Sequence, residues 1–259
     1  MTQANSSRKA LVTGAGRGIG LAVSLALARQ GWHVVLAGRD EGRLRMAAEQ
    51  VRAQGGQADV LPGDLNDESF WNHLQTSGLV VQALVHNASQ PTPFGRLEGL
   101  SPSAWQGTLD SVLGAGLRLA NWCVPGMKAA GHGRIVFVGS AVADLGSHGQ
   151  VAYAAAKSGL RGLVRSLALE VGRHGVTCNL VEPGFIDTER TREAVAKPIR
   201  TALATRSAVG RAGTPEEVAA VIAFLASPEA SYVTGACLPV SGGIELGLGA
   251  LVNNKGEDT

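Results

Sequence analysis

The sequence predicts an α/β fold, a single doubly wound parallel sheet of about seven strands flanked by helices. Three observations predict it. Short apolar, β-rich runs alternate with longer helical patterns along the chain. Those short runs are apolar at consecutive positions, as strands covered on both faces must be. Aromatic residues make up 4% of the chain while glycine occurs 35 times in 259 residues, which favours helices packed closely on a sheet, with tight turns, over an all-β sandwich.

KALVT (9–13) is the first strand and runs straight into TGAGRGIG (13–20), where a helical pattern at 19–30 begins. Gly14 and Gly18 allow a tight turn and close approach of backbone to a phosphate. Gly20 lets the helix lie against the strand, with Ile19 beside it. Unpaired N–H groups and partial positive charge at that helix start suit a pyrophosphate. A second strand, HVVLA (33–37), begins 13 residues after the turn, and this strand–turn–helix context predicts a dinucleotide site.

The second strand ends in AGRD (37–40). A ribose with a free 2′-OH calls for an acid here, whereas a 2′-phosphate calls for a guanidinium. Arg39 at the strand tip, with Arg17 in the glycine turn, predicts NADPH in preference to NADH. Asp40, one residue later, argues the other way. A helix at 41–53 leads to the third strand, ADVLP (58–62), followed by Asp64 and Leu65. The Asp64 carboxylate can accept from an adenine amino group while Leu65 packs on the ring; a turn or cap would also explain Asp64.

The later elements continue the alternation. A helix at 67–76 precedes the strand ALVHN (83–87), and one long helical pattern spans 103–129. RIVFVG (134–139) is the fifth strand, 150–172 a helix, and VTCNLVE (176–182) the sixth strand. The stretch 187–209 is polar and irregular. Thr214 as N-cap, Pro215 at N1 and Glu217 at N3 start a helix at 215–226, and CLPV (237–240) is the last strand. No linker, repeat or low-complexity block divides the chain, so 1–259 reads as one domain with a core at about 8–246 and a C-terminal tail at 247–259 that begins apolar and ends polar, its final residues frayed.

VAYAAAKSG (151–159) holds one of two tyrosines in the chain. Tyr153 and Lys157 are four residues apart on a helix and share one face, and the surrounding alanines leave room for a ligand. An ammonium near a phenol favours the phenolate and lowers its pKa from about 10.

TGAGRGIG, Asn87-Ala88 after the fourth strand, Ser140 after the fifth, Tyr153-x-x-x-Lys157 and EPGFIDT (182–188) occur in order at successive strand ends, and together they resemble the short-chain dehydrogenase/reductase family over about residues 8–246. The segment 210–243 is similar to the subgroup that contains 3-oxoacyl-carrier-protein reductases. The resemblance implies a Rossmann-type fold and hydride transfer between NADP and a carbonyl compound. Tyr153 would act as general acid, Ser140 would donate to the substrate oxygen, and Lys157 would bond the nicotinamide ribose. Asn87 and Ala88 would line the cofactor, Pro183, Gly184 and Ile186 would face the carboxamide side of the nicotinamide, and Thr188 would reach a phosphate. The stretch 187–209 would be the substrate lid, and the chain would form a homotetramer, or a dimer, through its long helices and last strand.

The chain departs from the family's pattern in three places. Seven residues after Trp105, where the family carries an Asn that holds a water beside the Lys, stands Val112. Ser111 has a hydroxyl but lies about 100° away round the helix, so the proton relay must differ. His86 replaces the first Asn of Asn-Asn-Ala-Gly and is expected to make a structural hydrogen bond. Ser241 replaces the Asp of a late Asp-Gly-Gly.

The first functional reading is an NADPH-dependent ketone or 3-oxoacyl reductase. An NAD-dependent alcohol dehydrogenase on the same scaffold, and an NADP-binding protein with weak catalysis because of Val112, are the alternatives. A methyltransferase would share the glycine turn but has no use for Tyr-x-x-x-Lys. A net charge of +2 with both signs mixed makes no case for nucleic acid or an anionic membrane. Cys123, Cys178 and Cys237 have no metal-ligand spacing and read as small core residues, so no metal is expected. The N-terminus lacks a secretory pattern and no apolar run approaches the roughly 20 residues of a membrane span, which predicts a cytoplasmic protein. Phe94, Leu97, Phe185 and Ile186 suggest an uncharged or acyl-like carbonyl substrate, free or bound to a carrier protein or CoA.

Overall fold

A computed structural model describes residues 8–90 and 94–246. The expected tail at 247–259 and the tip of the 89–102 loop lie outside the described residues. Among these, seven parallel strands form one sheet in the order β3-β2-β1-β4-β5-β6-β7. They are β1 Lys9–Thr13, β2 His33–Gly38, β3 Gln57–Pro62, β4 Ala83–His86, β5 Gly133–Val138, β6 Val176–Pro183 and β7 Cys237–Val240.

Strand burial explains the unbroken apolar runs. Within β1, Ala10 and Val12 pack on one face with helices α1 (Gly18–Arg29), α2 (Glu41–Ala53) and α10 (Pro215–Ala226). Leu11 packs on the other face with α3 (Glu68–Thr76), α5 (Ala115–Ala130) and α7 (Val151–Val171). Successive residues of a strand point to opposite faces, and here both faces are dry, so neither parity can be polar.

Local chemistry sets the helix starts. Asp40 accepts from the Arg43 N–H at 3.0 Å, Asp67 from Ser69 at 2.9 Å, and Thr214 and Glu217 form the expected capping box.

Three expectations need correction. The pattern at 103–129 is not one α-helix: α4 (Pro102–Leu109) passes through a π-turn, Asp110–Gly114, before α5 begins. The stretch 187–209 is not irregular, because it folds into α8 (Glu189–Ala194) and α9 (Lys197–Thr205). Thr188 starts α8 with a capping box to Thr191, a Thr-x-x-Thr variant of the usual pattern, and Pro198 sits in the first turn of α9. Cys237 is only half-buried, since β7 is the edge of the sheet; Cys123 and Cys178 are core residues as expected.

Strand order reverses between β1 and β4. In open α/β sheets the crevice for a ligand lies beyond the carboxyl ends of strands at such a point.

Candidate active site

A groove of about 480 Å³ opens at that crevice. On its floor, Gly14 and Gly18 take φ of 66° and 55°, conformations that only glycine adopts without strain. A Cβ on Gly20 would stand 2.1 Å from the Gly14 carbonyl oxygen, so α1 meets the turn backbone to backbone. Arg17 precedes α1 with extended backbone and no side-chain cap bond, which leaves the first-turn N–H groups facing the groove. Ile19 anchors the start of α1 to the core.

One hydroxyl joins the two crevice strands. Thr13 Oγ accepts from the N–H groups of Asn87 (3.1 Å) and Ala88 (3.0 Å). The Asn87 amide donates to the Thr13 and Gly14 carbonyls at 3.2 and 3.3 Å. Thr13 must then give its own proton to His86 Nδ1, 3.0 Å away, and His86 Nε2–H donates to the Val112 carbonyl at 3.0 Å. The partners thus set the tautomer. Burial holds the His86 pKa down at about 4, helped by Lys157, so the ring is neutral and structural, as expected.

At the end of the groove beside β2 and β3, Arg39 lies 3.8 Å from Asp64. Asp64 also closes a turn on the Asn66 N–H at 3.0 Å, and Leu65 packs partly on the core. Asp40 is engaged as the α2 cap and pairs with Arg43 at 3.3 Å, so its carboxylate is taken up locally. Arg43, missed in the sequence, lines the groove with Arg17 and Arg39. Its signal was a basic residue in the first turn of the helix after the second strand. These three guanidiniums, the free N–H groups and the glycine floor fit a dinucleotide.

At the other end, Lys157 and Tyr153 share one side of α7. Lys157 is 3% exposed, and its ammonium donates to the Val138 carbonyl at 2.7 Å and stands 5.5 Å from the Tyr153 ring centroid. Burial, with Arg190 adding to it, lowers its pKa to about 7. The Tyr153 phenol is raised by burial, against the opposing pull of a hydrogen bond with Ser140 and of the Arg190 charge. This corrects the expected electrostatics. The Lys157 ammonium is drawn to Val138 and over the ring face, and the cation acting on the phenol is Arg190, which sequence reasoning passed over as part of a polar lid.

The start of α8 borders the groove, with Thr188 and Arg190 in its lining. Arg190 in α8 donates to the carbonyls of Ser89 (3.3 Å) and Gln90 (3.5 Å), while Arg17 reaches Glu193 at 3.1 Å and Glu189 at 3.7 Å. Thr188 lies against Gly18, its methyl 3.4 Å from where a Cβ there would be. Pro183 ends β6, and Ile186 is buried beside Gly213. Gly184 permits the Ser241 backbone to come within 2.6 Å of the position a Cβ would take.

Position 112 is resolved by the π-turn. Val112 is fully buried in the apolar core, while Ser111 faces the groove and accepts from the Gln90 N–H at 3.4 Å. Among the described residues no helix is long and apolar enough to cross a membrane.

A family profile described as enoyl-(acyl carrier protein) reductase matches residues 14–245. The chain is 41% identical to 3-oxoacyl-(acyl-carrier-protein) reductase of Pseudomonas aeruginosa, covering 91% of this chain and 96% of that one. It is 37% identical to the protein of that name from Escherichia coli, with the same coverage. Among solved structures, a variant actinorhodin polyketide ketoreductase with NADPH superposes with a TM-score of 0.87 at 30% identity, over 94% of this chain and 99% of that one. A 3-oxoacyl (acyl-carrier-protein) reductase from Agrobacterium tumefaciens with NADP bound gives 0.85 at 33% identity, over 91% and 93%. The glycine-floored groove and these matches along nearly the whole chain lead to one conclusion: this protein belongs to the short-chain dehydrogenase/reductase family and is an NAD(P)-dependent oxidoreductase.

Proposed function

We propose that the protein reduces a ketone or 3-oxoacyl-type carbonyl to the alcohol with NADPH. The observation that carries this reading is the convergence of Ser140, Tyr153 and Lys157 beside a groove lined by Arg17, Arg39 and Arg43. Arg39 and Arg17 would receive the 2′-phosphate, with Asp64 and Leu65 at the adenine. The glycine turn and Ile19 would hold the diphosphate with Thr188, and Asn87, Ala88, Pro183, Gly184 and Ile186 would wall the nicotinamide end. When bound, the reduced nicotinamide supplies the hydride.

The chain's own residues handle the proton and the charge. Ser140 Oγ donates to the substrate oxygen as negative charge builds there. The Tyr153 phenol passes its proton to that oxygen. The Arg190 charge favours the phenolate left behind. Ser111 and Gln90 supply polar lining in place of the missing Asn.

The relatives named for 3-oxoacyl-(acyl-carrier-protein) and polyketide substrates support a carbonyl on an acyl chain, carried by carrier protein or CoA. Exposed Leu117, Leu169 and Tyr232, with the open edge of β7, support assembly into a homotetramer, which light scattering would test against a stable monomer. The functional test is a panel of ketones and acyl thioesters with NADPH or NADH oxidation followed by absorbance. Turnover with NADPH is expected. Equal rates with both cofactors would remove the NADPH assignment, and no turnover on any carbonyl would favour a binding protein.

A further inference from the structure

Arg161 follows Tyr153 and Lys157 at successive four-residue steps along one side of α7. Its guanidinium joins two carboxylates from different elements. Nε donates to Glu182 Oε1 at 2.9 Å and Nη2 to Oε2 at 2.8 Å, while Nη1 and Nη2 also bond both oxygens of Asp144. Glu182 is 3% exposed and immediately precedes Pro183 at the end of β6. Asp144 lies in the short helix α6 (Val142–Leu145), which begins two residues after Ser140.

The Ser140 segment is strapped to β6 on either side of Glu182. The Gly139 N–H donates to the Val181 carbonyl at 2.7 Å and the Ala141 N–H to the Pro183 carbonyl at 2.9 Å. Residue 139 has to be glycine for this approach, since a Cβ there would stand 2.9 Å from Glu182 Cγ. A further bond runs from Ser158 Oγ on α7 to the Ala143 carbonyl at 3.0 Å. A two-pronged guanidinium–carboxylate contact fixes angle as well as distance, and Arg161 makes two of them.

We propose that Arg161 is a positioning residue for the reduction: through Glu182 and Asp144 it sets the Ser140 segment against the Tyr153 side of α7. The proposal rests on the reading of Ser140 and Tyr153 as the reacting pair. The alternative role is purely structural, in which Arg161 only neutralises a buried carboxylate that would otherwise be costly to keep.

The two roles part in a paired variant of the full chain. Arg161→Met alone leaves Glu182 buried without a cation and should lower both Tm and kcat. Arg161→Met with Glu182→Ala removes the lone carboxylate, so most of the Tm should return. Without the tether, kcat should remain roughly 10- to 100-fold below wild type, with the Kd for NADPH little changed. In a Ser140→Ala background, Arg161→Met should cost less than about twofold further, because residues that act through one another are not additive. Wild-type kcat in the paired variant, or an equal loss from Arg161→Met with and without Ser140, would overturn the proposal. Tyr153→Phe is assayed alongside. If it is inactive while the paired variant turns over normally, only the role of Arg161 fails. If Tyr153→Phe turns over like wild type, the reading of the site fails and the role of Arg161 with it.

Discussion

The Lys157 ammonium stands 2.7 Å from the Val138 carbonyl oxygen, at the end of β5, inside a site where the residue is 3% exposed. One carbonyl compensates little of what the ion loses on leaving water, and this is why its pKa falls to about 7 from 10.5.

A pH dependence of stability follows. Between about pH 7 and 10.5 the unfolded chain keeps a proton on this lysine that the folded chain has released. Unfolding therefore takes up protons, and stability rises with pH through that window. Below pH 7 both states are charged and the full penalty, on the order of 5 kcal/mol, is present. Lys157→Met should raise the urea midpoint of the ligand-free protein most near pH 6.5 and least near pH 10. A constant offset across pH would show that Lys157 is not desolvated.

Tyr153→Phe keeps the ring that lies beneath Lys157 and removes only the hydroxyl. Turnover should fall by roughly 100-fold or more, with NADPH affinity measured by fluorescence nearly unchanged. Retained turnover would place the proton donor elsewhere.

Arg39→Ala should weaken NADPH by one charge-assisted contact, about 1.5–3 kcal/mol, and change NADH far less. Because Arg39 also faces Asp64 at 3.8 Å, Asp64→Asn should leave this guanidinium freer and, with the Asn carbonyl still able to accept from the adenine amino group, tighten NADPH binding relative to NADH. Isothermal titration of both cofactors checks the two variants; parallel losses for NADPH and NADH in Arg39→Ala would rule out a 2′-phosphate contact.

Val112→Asn should not improve the enzyme. The side chain is fully buried among apolar neighbours, and an amide without partners there costs about 1–3 kcal/mol. Its melting temperature should drop with no gain in kcat at any pH between 6 and 9. A variant that is both stable and faster would mean that water reaches this turn.

Local spacing carried much of the structure. The seven strands, the α2 and α10 boundaries and the glycine turn were legible because each depends on residues within a few positions: caps, apolar parity, backbone freedom. The pairing of Tyr153 with Lys157 on one side of a helix was legible for the same reason. The helices within 187–209 were not legible, since α8 starts with a Thr-x-x-Thr box that looks like an ordinary polar stretch.

By itself the sequence determined the sheet, its helices and which side chains stand near strand ends, since period and capping are short-range. Only the tertiary structure decided where the charges fall. Lys157 turns to Val138, which lies 19 residues away in sequence. Arg190 comes down beside Ser89 across 101 residues, and Arg17 finds Glu193 across 176. The π-turn sends Val112 inward and leaves Ser111 on the groove. Electrostatic energy depends on distance and burial, and neither is written in the spacing of residues along a chain.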